Sequence, residues 1–148
     1  MENRFATFTI LMTKINRFIR KIKTIEMAEF DLKSPHVSCL YYLYVAKSLT
    51  AKELCDLCDE DKASISRSIE YLEKNEYITC SSSQKKRYKS PLTLTEKGVN
   101  VAKKIVVIID KMLEKASIGV TDEERHIMYK SLSTICDNLQ SVCDNYID

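Results

Sequence analysis

Between Tyr77 and Thr95 the chain carries four cationic side chains, Lys85, Lys86, Arg87 and Lys89, and no acid. Long cations in such a run neutralise phosphates and displace condensed counterions. A few residues upstream, Lys62-Ala-Ser-Ile-Ser-Arg67 opens a segment with helical periodicity. There Ile65, Ile69 and Leu72 share one face, while Ala63, Arg67, Glu70 and Lys74 lie roughly opposite. A helix that docks by one stripe and offers small, hydroxyl and basic side chains on the other suits entry into a major groove. The chemistry on offer is therefore non-covalent recognition of double-stranded DNA. An enzyme is not expected. The two histidines, His36 and His126, fall in separate predicted helices, and neither is spaced to pair with a nucleophile or a carboxylate.

These side chains need a scaffold, and residues 48–98 describe one. Leu49, Leu54 and Leu57 give a first short helix its apolar side. Thr50-Ala-Lys-Glu53 has capping-box spacing, and Asp61 is placed as N-cap of a second helix over 62–75. Residues 77–81 then read as a strand, from their β-branched and aromatic side chains. After the polar tip at 82–87, residues 89–94 run back antiparallel, with Pro91 confining this return strand to an edge. The order predicts a winged helix-turn-helix. Taken alone, the ribbon could equally be a solvated hairpin whose lysines blunt an edge.

Long helices flank this lobe. Over 5–29, Phe8, Leu11, Ile15, Phe18, Ile22 and Ile25 recur at spacings of three and four, widened by Met12 and Ile19. Ser34-Pro35 offers an N-cap and a first-turn proline for a helix over 34–47. Another long helix starts at Thr95 and Glu96 and ends at Ser117-Ile-Gly119. Thr121-Asp-Glu-Glu124 is a second capping box, followed by Met128, Leu132, Ile135, Leu139, Val142 and Tyr146 on one stripe. The predicted fold is mainly α with a small β-wing, its DNA-binding lobe at 33–98 and helical dimerisation regions at 1–32 and 99–148. The outer stripes exceed what a small winged core can cover, and a second copy of the chain is the economical cover. The competing reading is an intramolecular helical subdomain. Two recognition helices in a dimer would address half-sites about one helical turn apart.

Composition narrows the rest. A formal charge of +2 is weak evidence about partners, but the acids of the lobe gather at 56–61 and 70–76, away from the wing. Two glycines and two prolines imply a helical chain, and no P-loop or dinucleotide fingerprint is present. The uncharged run 5–13 is too short to span a bilayer and lacks a cleavage signal. Six irregularly spaced cysteines look like reduced thiols, which predicts the cytoplasm. Cys55-Asp-Leu-Cys58 is a lone C-x-x-C, and His36 with Cys39 could add two ligands only in principle, so neither metal nor cofactor is expected. Cys39 and Cys80 remain candidates for oxidation.

This order of elements resembles the MarR (multiple antibiotic resistance regulator) family of bacterial transcription factors over nearly the whole chain. The resemblance is most specific at Leu49-Thr-Ala-Lys-Glu-Leu54, Asp61-Lys-Ala-Ser-Ile-Ser-Arg-Ser-Ile-Glu-Tyr-Leu-Glu-Lys-Asn-Glu-Tyr-Ile78 and Leu92-Thr-Leu-Thr-Glu-Lys-Gly98. It implies a dimer through the terminal helices that binds a pseudo-palindromic operator, with Ser64, Ser66 and Arg67 at base and phosphate contacts. Thr50 and Lys52 would touch the backbone, Lys62 opens the reading helix, and Lys85, Lys86 and Arg87 belong to the wing beside the minor groove. The family's wing commonly carries Asp-x-Arg; here Lys86 stands at the Asp and Tyr88 at the Arg, with Arg87 one place early. Members respond to small aromatic anions, to oxidants through a cysteine, or to metals. Tyr41, Tyr42 and Tyr44 on the second helix are the candidate effector pocket, against the alternative of tyrosines half-buried in an ordinary core. The implied function is a homodimeric, ligand- or redox-responsive repressor. The alternative is a winged-helix module that binds protein.

Overall fold

Helix caps set most of the element boundaries. The computed structural model describes residues 3–58, 60–81 and 89–147. Asn3 accepts a hydrogen bond from the Ala6 N–H at 3.1 Å and opens α1, Arg4–Glu26. A 3-10 turn, Ala28–Phe30, leads to Asp31 in the left-handed region at φ 55° and then to α2, Ser34–Ala46. The short helix α3, Ala51–Cys58, precedes α4, Lys62–Lys74. Strands β1, Ile78–Cys80, and β2, Leu92–Leu94, pair antiparallel with Ile78 opposite Leu94. Two long helices close the chain, α5 at Glu96–Ala116 and α6 at Asp122–Asp144. This is a mainly α fold with a small β-wing: a winged helix-turn-helix core between long terminal helices.

Four local readings need correction. Ser34 is the first helical residue rather than the N-cap of α2. The cap is Lys33, whose N–H donates to His36 Nδ1 at 3.1 Å, while buried Ser34 donates its own N–H to Thr24 Oγ1. Leu49 lies outside α3 and bridges β2, with Leu92 N–H donating to Leu49 O at 2.8 Å. The return strand is therefore flanked on both sides at Leu92, and Pro91 stands just before it, where no ladder N–H is missed. Leu57 is 46% exposed. The inner face of α3 is made instead by Ala51 and Leu54, with Cys55 and Cys58 packed against the core.

The core of the lobe gathers Leu40 and Leu43 of α2, Leu54 of α3, Ile65 and Leu72 of α4, and Leu92 of β2, all essentially inaccessible. Burying each contributes about 1.5–3 kcal/mol relative to exposure. At the base of the wing, Thr95 caps α5, accepting from the Gly98 N–H at 3.0 Å and donating to Glu76 O at 2.6 Å. Gly98 is required there by space. A Cβ at this position would lie 2.0 Å from the Tyr77 carbonyl oxygen. Lys97 completes the joint by donating to Asn75 O at 2.7 Å, its ammonium over the Tyr77 ring.

Backbone packing divides the chain into a larger unit ending at Asp110 and a smaller one beginning at Lys111. Neither α1 in the first nor α6 in the second contains a buried residue. No described helix is long and apolar enough to cross a membrane.

Candidate nucleic-acid interface

α4 is built to be held by one face and read by the other. Ile65, Ser68, Ile69 and Leu72 are buried, and the helix packs against α2 and α3. Ala63, Ser66, Arg67, Glu70 and Lys74 are exposed, as is Lys62. Among the described residues Arg67 has no carboxylate partner, so its fork of donors is available to an incoming acceptor. Ser64 is half-buried, and its backbone N–H donates to Asp61 Oδ1 at 2.6 Å. That cap has an electrostatic consequence. Asp61 occupies the helix N-terminus that could otherwise have received a phosphate, so attraction for phosphate must come from side-chain cations.

The same holds at α3. Thr50 N–H donates to Glu53 Oε2 at 2.7 Å, the Thr50 hydroxyl donates to the same oxygen at 3.0 Å, and the Glu53 N–H donates back to that hydroxyl at 3.2 Å. These bonds hold the Glu53 carboxyl below its ordinary range, the Thr50 backbone N–H contributing most. Thr50 is thus engaged in capping, beside a carboxylate that repels phosphate. Exposed Lys52 is the better placed of the two to meet a backbone phosphate. The wing residues Lys85, Lys86 and Arg87 lie outside the described residues; Lys89, at the foot of the wing, is exposed.

The three tyrosines of α2 separate. Tyr41 and Tyr42 pack against the core, edge to face at 5.3 Å. Tyr44 lines a hollow of about 140 Å³ with Leu43, Lys47, Thr93, Leu94 and Val99, and the Lys47 ammonium sits 4.9 Å from the Tyr44 ring centre. An aromatic ring beside a cation suits a small aromatic anion. The candidate metal ligands do not assemble: His36 stacks on Tyr71 at 4.2 Å, and the described residues contain no group of three His, Cys, Asp or Glu that could hold an ion.

A cluster that spacing alone does not show lies under α3. Lys23 of α1 donates to Ser38 Oγ of α2 at 2.9 Å, and Arg20 pairs with Glu60 at 2.8 Å. Cys39 is buried in the same core and Cys58 is half-buried against it, and burial lowers the Lys23 pKa. The only sequence signal was the presence of the thiols, since the contacts join residues far apart along the chain.

The family profile described as "Winged helix DNA-binding domain" matches residues 36–113. No curated protein matches the chain in sequence. Among solved structures, a MarR protein from Peptoclostridium difficile is similar with a TM-score of 0.83 and 20% identity, over 95% of this chain and 92% of its own. A MarR family transcriptional regulator from Listeria monocytogenes, solved with a 26-mer DNA, is similar at 0.77 and 26% identity, over 86% of this chain and 85% of its own. A MarR from Staphylococcus aureus, solved with salicylate and kanamycin, gives 0.79 and 16%, over 95% of each chain.

Proposed function

Because this chain belongs to the winged helix DNA-binding domain family and has the fold of the MarR-family regulators, we propose that it is a homodimeric, sequence-specific DNA-binding repressor of transcription. The observation that carries the reading is the division of α4. One face is locked into the lobe by Ile65, Ile69 and Leu72, and the other presents Ser66 and Arg67 beside Lys62. Ser64, Ser66 and Arg67 read bases or clamp phosphates, Lys52 and, less directly, Thr50 meet the backbone, and Lys85, Lys86 and Arg87 supply the wing's charge. The Listeria relative solved with DNA supports the same use of the fold.

The exposed apolar side chains that recur along α1 and along α6 support assembly of two copies on a two-fold operator, since most soluble oligomers are two-fold homodimers. Tyr44 and Lys47 make a small aromatic anion the best-suited effector, and the salicylate bound to the Staphylococcus aureus relative agrees with that chemistry. The protein acts without catalysis, in the cytoplasm.

The test is a binding titration against salt. A duplex recovered from a genomic binding map should bind far more tightly than random duplex. Its log affinity should fall with log salt at a slope of about −0.9 for each phosphate neutralised. A folded protein that binds no duplex more tightly than random sequence would point instead to a protein-binding module.

A further inference from the structure

The apolar stripe of α1 is not the side by which this helix meets the lobe. Ile15, Phe18 and Ile25 are exposed, whereas Arg20, Lys23 and Met27, spaced by three and four, follow the edge in contact with it. Two bonds make the end of α1 a fixed base on α2. Lys23 donates to Ser38 Oγ at 2.9 Å, and Thr24 Oγ1 accepts from the Ser34 N–H at 3.2 Å. From one turn before Thr24, Arg20 reaches to Glu60, its guanidinium donating to Oε1 at 2.8 Å.

Glu60 is not placed like an ordinary surface acid. Its side chain is 15% exposed, against 45% for Arg20, and it stands between Asp59 and Asp61 in the sequence. A fully exposed ion pair contributes almost nothing, because solvent screens it and two long side chains lose freedom. A largely buried carboxylate beside other acids behaves differently. Without its cation it must swing out to water or take up a proton. Either response is passed to the reading helix. The Glu60 N–H donates to Cys55 O in α3 at 3.3 Å, and the next residue, Asp61, caps α4 by accepting the Ser64 N–H at 2.6 Å.

The second half of α4 is tied to the junction of α1 and α2. The Tyr71 hydroxyl donates to the Asp31 carbonyl at 2.7 Å, and its ring stacks on His36. The turn before the first half is tied to α1 by Arg20. Release of that front tie leaves α4 held at Tyr71 and by its core face, and able to tilt at the end that carries Ser66 and Arg67.

We propose that Arg20 is a positioning residue for sequence reading: its ion pair with Glu60 fixes the turn that caps α4 and so sets the aim of Ser66 and Arg67. Arg20 acts through Glu60 and touches neither base nor phosphate itself. The reading role rests on the proposed DNA-binding function; the hold on the turn does not.

The experiment compares the full-length wild type with Arg20→Gln, Glu60→Gln and the double variant by anisotropy titration on operator and random duplex. Each single variant should weaken operator binding about fivefold, the size expected of a coupled pair. The salt slope on random duplex should stay as it is, because a tilt spoils base alignment and removes no phosphate contact. The double variant should lose no more than either single one, since the two groups act as one. Arg20→Lys, which keeps a cation within reach, should recover most of the loss. Without DNA, Arg20→Gln should speed hydrogen exchange at the Ser64 and Ile65 amides, whose acceptors belong to Asp61, and spare the amides of α2 and α5. If Glu60→Gln fails to fold, Arg20→Gln against Arg20→Lys carries the comparison alone.

Equal losses on both duplexes with a shallower salt slope would mean that Arg20 meets a phosphate, and the proposal falls. Undiminished operator binding would show the ion pair to be inert, and additive losses would show that Arg20 and Glu60 act separately; each overturns it as well. A wild type that prefers no duplex over random would sink the proposed function and with it the reading role of Arg20. Faster exchange at Ser64 would even then assign Arg20 to the turn, and unchanged exchange would remove it from both.

Discussion

The reading lobe and the terminal helices carry apolar stripes of similar regularity and place them in opposite surroundings. Leu40, Leu43, Leu54, Ile65 and Leu72 of α2, α3 and α4 are all essentially inaccessible. In α1, Ile15 is 52% and Phe18 53% exposed, and in α6 Leu139 is 53% exposed. Periodicity of three and four establishes that a helix has an apolar side; it does not establish what that side meets. The lobe closes on itself because α2, α3, α4 and the ribbon face one another around one core. Within each unit the stripes of α1 and α6 stay largely exposed among the described residues, and in the proposed dimer they would form its seam.

The largest expected effect comes from breaking that seam. Ile15→Glu with Ile22→Glu should convert a dimer to monomers in sedimentation equilibrium while circular dichroism keeps the helical content of the lobe. Each uncompensated polar group buried at an interface costs roughly 2–7 kcal/mol. A wild-type protein that is a well-folded monomer at micromolar concentration would remove the seam altogether. The converse break lies at the base of the wing. Gly98→Ala forces a Cβ against the Tyr77 carbonyl, a backbone atom that cannot rotate away. Overpacking of this kind costs about 3 kcal/mol, measurable as a lower denaturation midpoint, and assembly through the outer helices should be weakened far less. An unchanged midpoint would mean that the joint between Tyr77 and α5 yields readily.

The sequence made the order of elements, both capping boxes and the buried side of α4 legible, because each rests on local spacing. Thr50 with Glu53, Asp61 with Ser64, and Thr121 with Glu124 all close as their spacing requires. What spacing could not show was contact at a distance. Leu49 left the helix predicted for it to bridge Leu92, and Leu57 faces solvent because its angle about the α3 axis points outward despite its side chain. Cys55 and Cys58 take the inner position as small hydrophobes. In the candidate site both the residue types and the Thr50–Glu53 cap were legible, and that cap engages the same hydroxyl that the resemblance places at the DNA backbone.

Arg67 sharpens the comparison from the lobe's outer side. It is exposed and lies opposite Ile65, Ile69 and Leu72, so Arg67→Ala should leave the melting temperature unchanged. It should weaken operator binding by about 1–3 kcal/mol, the usual worth of one good base-reading contact, and narrow the gap between operator and random duplex. Anisotropy titrations on both duplexes measure this directly. A folded variant with undiminished operator affinity would mean that α4 docks in another orientation.

The smallest effect concerns how firmly the lobe's first helix is started. His36 Nδ1 accepts the Lys33 N–H at 3.1 Å, and the ring stacks on Tyr71, whose hydroxyl donates to the Asp31 carbonyl at 2.7 Å. The accepting nitrogen must be unprotonated. Burial, followed by the charge of Lys33, lowers the His36 pKa, with Asp31 opposing. A histidine whose folded pKa lies below its unfolded value of about 6.5 stabilises the fold fully above that pH, and the contribution is lost as pH falls through the folded pKa. Capping interactions contribute about 1 kcal/mol, so His36→Ala should lower stability by about that amount at pH 7.5. The gap between variant and wild type should then be narrower at the acid end of the folded range than at pH 7.5, because the wild-type ring takes up its proton as pH falls through the lowered pKa. Urea denaturation at the two pH values measures it. A gap that stays constant or widens on acidification would show that the stacking on Tyr71, rather than the neutral cap, is what His36 contributes.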